Sequence, residues 1–179
     1  MAHRSHAELD AGLPEVLAAP RGRGTLERIV RRPVPGEREV LDEAQLDILV
    51  GLVGDRWCIG TPDKPPHPGK QITIMSSRVA SLLAGGGDWA PAGDQLFVDL
   101  DLTEEHLPAG TRLQVGGAVL EVTADPHTGC KKFAERFGVD AVAWTKAPER
   151  AHLRLRGLHA RVIVPGTIRR GDKITVADS

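Results

Sequence analysis

The sequence predicts a mainly β, α+β fold: a β-barrel core with several peripheral helices. Three observations lead there. Short runs of alternating apolar and polar residues recur along the chain and are punctuated by glycine turns. The clearest pair, "TRLQV" and "AVLEVTA", is separated by Gly116-Gly117 and reads as a hairpin. "PAGTRLQVGG" from Pro108 is echoed by "PGTIRRGDKI" from Pro165, which suggests two similar corners of one closed or nearly closed sheet.

Each element has its own local reason. Residues 5–19 read as a helix capped by Ser5 and followed by Pro20, with a break expected at Pro14. "TLERIVRR" from Thr25 reads as a strand through its β-branched residues. Asp42 with Gln45 three residues on resembles a capping box, and Leu46, Leu49, Val50 and Val53 predict a helical face ending near Gly54. The proline-rich stretch 61–69 excludes both a long helix and an interior strand. "QITIM" predicts a strand, and Ser76 or Ser77 caps a helix that Gly85 to Gly87 ends. "QLFVDLDL" is a half-buried strand, and Thr103 to Glu105 start one helical turn. "CKKFAERFG" is a short helix stopped by Gly138, and the closing "ARVIVPGTIRRGDKITV" is strand, turn and strand. Residues 1–24 then form an N-terminal helical extension and residues 25–179 the barrel domain.

The totals limit the function. The chain has 179 residues, enough for one domain with a real core. No apolar run is long enough to span a bilayer, and the N-terminus shows no secretory h-region, so the expected setting is cytoplasmic, with no membrane partner. With no Tyr, 3 Phe and 3 Trp, a nucleic-acid stacking platform would be thin, and none is expected. Charge is uneven: residues 37–125 carry 6 Lys/Arg against 15 Asp/Glu, whereas residues 126–179 carry 11 against 5. That distribution suits an anionic small ligand near the start of the basic third, or equally two parts of the chain that pair with each other.

The junction is "EVTADPHTGCKKF", Glu121 to Phe133. Pro126 stops a strand, Gly129 clears space beside Cys130, and a helix follows. A cysteine in the first helical turn, with Lys131, Lys132 and His127 nearby, has reasons to titrate below the usual ~8.5. Such a thiolate suits a nucleophile, a sulfur carrier or a soft-metal ligand. The alternative is a small buried hydrophobe whose lysines face water. Cys58, between Trp57 and Ile59, reads as packed, and neither cysteine belongs to a CxxC.

"GDRW" at Gly54, "GAVLEVTADPHTGCKKF" at Gly117 and "GLHARVIVPGTIRRGDKITV" at Gly157 occur in the order seen in MOSC domains, named after the C-terminal part of molybdenum cofactor sulfurase. The chain resembles a small stand-alone bacterial-type member over roughly Thr25 to Val176. The resemblance implies a barrel-like fold and a molybdenum cofactor of the molybdopterin type. It makes Cys130 the metal ligand or sulfur carrier; His127, by its place in the loop a base, a ligand or a plain loop histidine, is the second catalytic candidate. Arg56 is the cofactor-binding residue matched by family position, and Lys131, Lys132, Arg156 and Arg161 are further cationic candidates for the cofactor's phosphate. It also implies reduction of N-hydroxylated compounds, with electrons or sulfur from a partner protein, an electron donor or a sulfurase. Pyridoxal phosphate is associated with the family only through a sulfurase domain that this chain lacks. The chain departs from the family pattern at Thr128-Gly129 before the cysteine, at Trp57 after Gly-Asp-Arg, and at Gly93-Asp94-Gln95 where Gly-Glu-Asn is common. The alternatives are a metal-free thiol or sulfur-handling protein and a non-catalytic module binding an anionic ligand.

Overall fold

The computed structural model describes residues 3–129 and 131–177. Its strands are β1 (Arg23–Arg31), β2 (Glu39–Leu41), β3 (Glu43–Asp47), β4 (Gly51–Leu52), β5 (Ile72–Ser76), β6 (Leu96–Asp99), β7 (Arg112–Val115), β8 (Ala118–Val122), β9 (Leu158–Val164), β10 (Gly166–Arg169) and β11 (Lys173–Val176). The helices are α1 (His6–Leu17), α2 (Ser77–Ala84), α3 (Lys131–Phe137) and α4 (Val139–Lys146). Seven strands close in the order β1-β11-β7-β8-β9-β5-β6, and β6 returns to β1. Every pairing in this barrel is antiparallel except β5 with β6, which α2 connects as a parallel pair. β2 extends β1, and β10-β3-β4 form a small separate sheet.

Strand alternation divides the apolar residues between two cores. Ile72 and Ile74 of β5, Leu96 and Val98 of β6, and Leu158 and Ala160 of β9 point into the barrel. Met75 and Phe97 point outward, where α1–α4 cover them with Leu9, Val79, Phe133 and Trp144. The candidate site lies where this helical layer meets the outer face of β5 and β9.

The barrel, the β7–β8 hairpin, α2 and α3 follow the sequence reading. The expected helix over residues 42–54 does not form. There, β3 pairs with β10 and turns back as β4. The alternation decides it: Ala44 and Leu46 are buried while Glu43 and Gln45 are exposed. Gly51 adopts φ 73° at the turn, and the Asp47 side chain accepts from the N–H groups of Leu49 and Val50. Leu49, expected on a buried helical face, is 82% exposed. The closing segment holds three strands instead of two, because β10 leaves the barrel to pair with β3. Helix α1 runs through Pro14 without a break, held by Leu9 and Val16 in the outer core and by a full Ser5–Glu8 capping box. Helix α4 was not anticipated; Ala141, Trp144 and Thr145 give it a buried side at helical spacing.

Candidate functional site

The site is organised by the short stretch Pro91 to Asp94, which leads into β6. Three consecutive carbonyls accept from three different arginines. Arg136 of α3 donates to Pro91 O at 2.7 Å, Arg156 to Ala92 O at 3.1 Å, and Arg32, just past β1, to Gly93 O at 3.0 Å. Gly93 has φ 87°, which turns the chain so that these carbonyls fan outward.

Asp94 follows and is fully buried. Its carboxylate accepts from Arg156 Nη1 at 2.6 Å and lies 2.6 Å from His127 Nε2. Burial alone would raise its pKa; Arg156 above all, with His127, overcomes this and holds it at about 2. Burial lowers the pKa of His127, against the opposing pull of Asp94. His127 is therefore neutral at pH 7 and donates Nε2–H to Asp94, which leaves Nδ1 unprotonated. Arg156 is the true counter-charge of Asp94, and its guanidinium also lies 4.7 Å over the Phe133 ring. His159 stacks on His127 with ring centroids 4.5 Å apart, and its Nδ1 lies 3.1 Å from Asp125 O. Burial first, then the neighbouring His127, lowers the pKa of His159 to about 4.

On the other side of Gly93 lies a group of cations. Gly54 (φ 85°) and the buried Asp55 set it up. Asp55 grips Arg32 with both oxygens at 2.8 Å, accepts the backbone N–H of Arg32, and caps the 3-10 turn Arg56–Ile59 through Trp57 N–H. That turn carries Arg56. Arg38 comes from the loop before β2. A Cβ at Gly93 would find Arg136 Nη1 and Arg38 Nη2 each at 3.6 Å. Burial, then Arg136, Arg32 and Arg56 in that order, lowers the pKa of Arg38, and Asp55 opposes them only weakly. Arg38 Nε is buried with no acceptor. Four guanidinium groups thus converge with one carboxylate between them.

The residues expected from sequence are distributed as follows. His127 and Arg156 meet on Asp94. Arg56 joins the arginine group. Lys131 and Lys132 are exposed at the start of α3 and form no ion pair among the described residues. Arg161 is salt-bridged to Glu121 on the exposed face of β8–β9. Cys130 lies outside the described residues. Cys58 is half-buried, with Sγ 3.6 Å from Asp55 O. The basic third of the chain is matched internally in part: Arg156, Arg161, Arg169 and Arg170 each meet a carboxylate from residues 37–125. Sequence reasoning missed Asp94, His159, Arg32, Arg38 and Arg136. A signal existed for Arg32, in the Arg31-Arg32-Pro33 end of an apolar strand.

A model of the MOSC domain matches residues 88–175, from the carbonyl stretch through β11. The chain carries a MOSC domain over these residues. The fold agrees with solved MOSC-like structures. Bacillus subtilis YuaD superposes with a TM-score of 0.58 at 20% identity, covering 87% of this chain and 96% of YuaD. Escherichia coli YiiM superposes at 0.55 and 20% identity, covering 88% of this chain and 70% of YiiM. A hypothetical protein gives 0.61 at 19% identity, covering 89% and 69%. No curated protein sequence matches the chain. Against the MOSC pattern, the change to Gly93-Asp94-Gln95 keeps an acid and an amide. Asp94 anchors Arg156, and Gln95 accepts from Thr73 N–H at 2.8 Å, tying β6 to β5. Among the described residues, no group of three His, Cys, Asp or Glu side chains is placed to hold a metal, and no helix is long and apolar enough to cross a membrane.

Proposed function

We propose that this MOSC protein binds a molybdopterin-type cofactor, with its phosphate at the arginine group and Cys130 as the thiolate for metal or sulfur. The observation that carries this reading is the convergence of Arg32, Arg38, Arg56 and Arg136 beside Gly93, with Arg38 Nε lacking an acceptor. Four like charges gathered around one carboxylate are unfavourable unless an anion completes the set. A phosphate fits that requirement, because guanidinium forks hold phosphate oxygens in charge-assisted pairs.

The donor set therefore suits the cofactor's phosphate, and the soft sulfur of Cys130 suits molybdenum. Arg56, and Arg38 through the Nε that has no acceptor although its Nη1 donates to Glu37 O at 2.6 Å, are the arginines left to bind the phosphate. Arg32 and Arg136 are tied to backbone carbonyls and fix the field around it. The cofactor, when bound, supplies two-electron redox chemistry at an oxygen atom. Neutral His127 contributes an unprotonated Nδ1, held in one tautomer by Asp94, which can take up a proton. Electrons for reduction of an N-hydroxylated compound, or sulfur for transfer, come from a partner protein.

The test is molybdenum per chain by elemental mass spectrometry, after anaerobic expression in a host that makes the cofactor. Wild type should approach one per chain, and Cys130→Ser and Arg38→Ala should each fall several-fold. No molybdenum in any of the three removes the cofactor reading.

A further inference from the structure

A cavity of about 230 Å³ lies behind the 123–128 loop. The end of α4 and the segment leading into β9 close it, through Thr145, Lys146, Arg154 and Arg156. We propose that this cavity is a binding site for a small organic monocarboxylate, and that it stands whether or not the cofactor reading holds.

Charge is the first argument. Arg156 is neutralised by Asp94. Asp125 also lines the cavity, but its carboxylate oxygens lie against Gly69 and His67, neither of which does. Glu104 is the acidic neighbour of Arg154. Lys146 meets no carboxylate within salt-bridge distance among the described residues. One positive charge is left over, which calls for a monoanion.

Unused donors are the second argument. The hydroxyls of Thr123 and Thr145 are spent on the carbonyls of Gly69 and Ala141. Lys146 Nζ, Thr128 Oγ1 and Arg154 Nε and Nη2 make no hydrogen bond to a described residue. Arg154 is also the one non-glycine residue at positive φ among those described, at 49°. Its guanidinium is anchored at 2.6 Å to Leu107 O, so the wall is set in place at a cost in backbone strain.

Size is the third. At ~30 Å³ per water-sized atom, the cavity holds about seven or eight heavy atoms. A bare inorganic ion would leave most of it empty. A carboxylate takes three atoms and leaves four or five for a chain, which Ala124, Ala151 and Leu158 can line. Pentanoate and hexanoate match that length, and the shorter butyrate enters with room to spare.

The experiment titrates the protein with butyrate, and separately with butyramide and sulfate, by calorimetry and amide chemical shifts. Pyrophosphate is kept at saturation throughout to occupy the arginine group. Butyrate should bind and shift the amides of Thr128 and Lys146. Butyramide should bind about tenfold more weakly, since a lost charge-assisted contact is worth about that factor. Lys146→Gln, at an exposed position that leaves folding intact, should weaken butyrate several-fold, and Thr128→Val should do so as well. Equal affinity for butyramide, unchanged binding in Lys146→Gln, or no saturable butyrate binding in the presence of pyrophosphate would each overturn the site. Sulfate binding as tightly as butyrate would overturn it in favour of a plain ion site. Metal content does not enter this experiment, so its failure is separable from failure of the cofactor reading.

Discussion

Asp94→Asn keeps the shape of the side chain and removes its charge, so it isolates what the buried carboxylate does. Asp94 is fully buried and the Arg156 side chain is only 8% exposed. Removing one partner of such a pair strands the other charge in a poorly solvated place, at about 3–5 kcal/mol. Total stability for a domain is about 5–15 kcal/mol. For a chain of this length each kcal/mol moves the melting temperature by about 2–4 °C, so the variant should melt about 6–20 °C lower. The pH dependence gives an independent check. The Asp94 pKa falls from 3.8 to about 2 on folding. Its contribution is complete above pH 4 and is lost as pH falls through 2, and it amounts to about 2 kcal/mol over that window. Denaturant unfolding of both proteins from pH 2 to pH 7 measures each quantity. A variant within about 1 kcal/mol of wild type at pH 7, or one with an unchanged acid limb, would refute the reasoning.

Two further outcomes follow from the same structure. His159 is buried neutral with a pKa of about 4, so the unfolded chain takes up a proton first as pH drops below about 6.5. Stability attributable to it is full above that value and declines toward pH 4; His159→Gln should flatten the stability profile between those limits in a urea titration. Leu9→Ala removes a fully buried side chain from α1 and should lower stability by about 2–5 kcal/mol in a single cooperative transition. If α1 were an independent appendage, the main transition would not move.

The barrel was legible because its strands alternate on the period that pleating imposes, and the Gly116-Gly117 hairpin sits on that period. The 42–54 segment misled because Leu46, Leu49, Val50 and Val53 are spaced as a helix would space them. Pairing of β3 with β10, from residues more than a hundred positions away, outweighs that local pattern. The same limit applies to the site. His127 and Arg56 stand out beside Pro, Gly and acidic neighbours in the sequence. Arg38 and Arg136 carry no such local mark, since what selects them is their approach to Gly93 from β-loop and α3. Asp94 looks like any loop acid until Arg156 and His127 close on it.

The three carbonyls of Pro91, Ala92 and Gly93 make the arginine arrangement a product of tertiary structure. Arg32 arrives just past the first barrel strand, Arg136 on a helix past the midpoint, and Arg156 just before β9. Each is seated only when its own segment has reached that one tripeptide. A nascent or partly unravelled chain therefore presents scattered arginines, each individually solvated, and no concentrated positive field. Under the proposed reading, loading of a phosphate-bearing cofactor would be coupled to completion of the chain's tertiary structure.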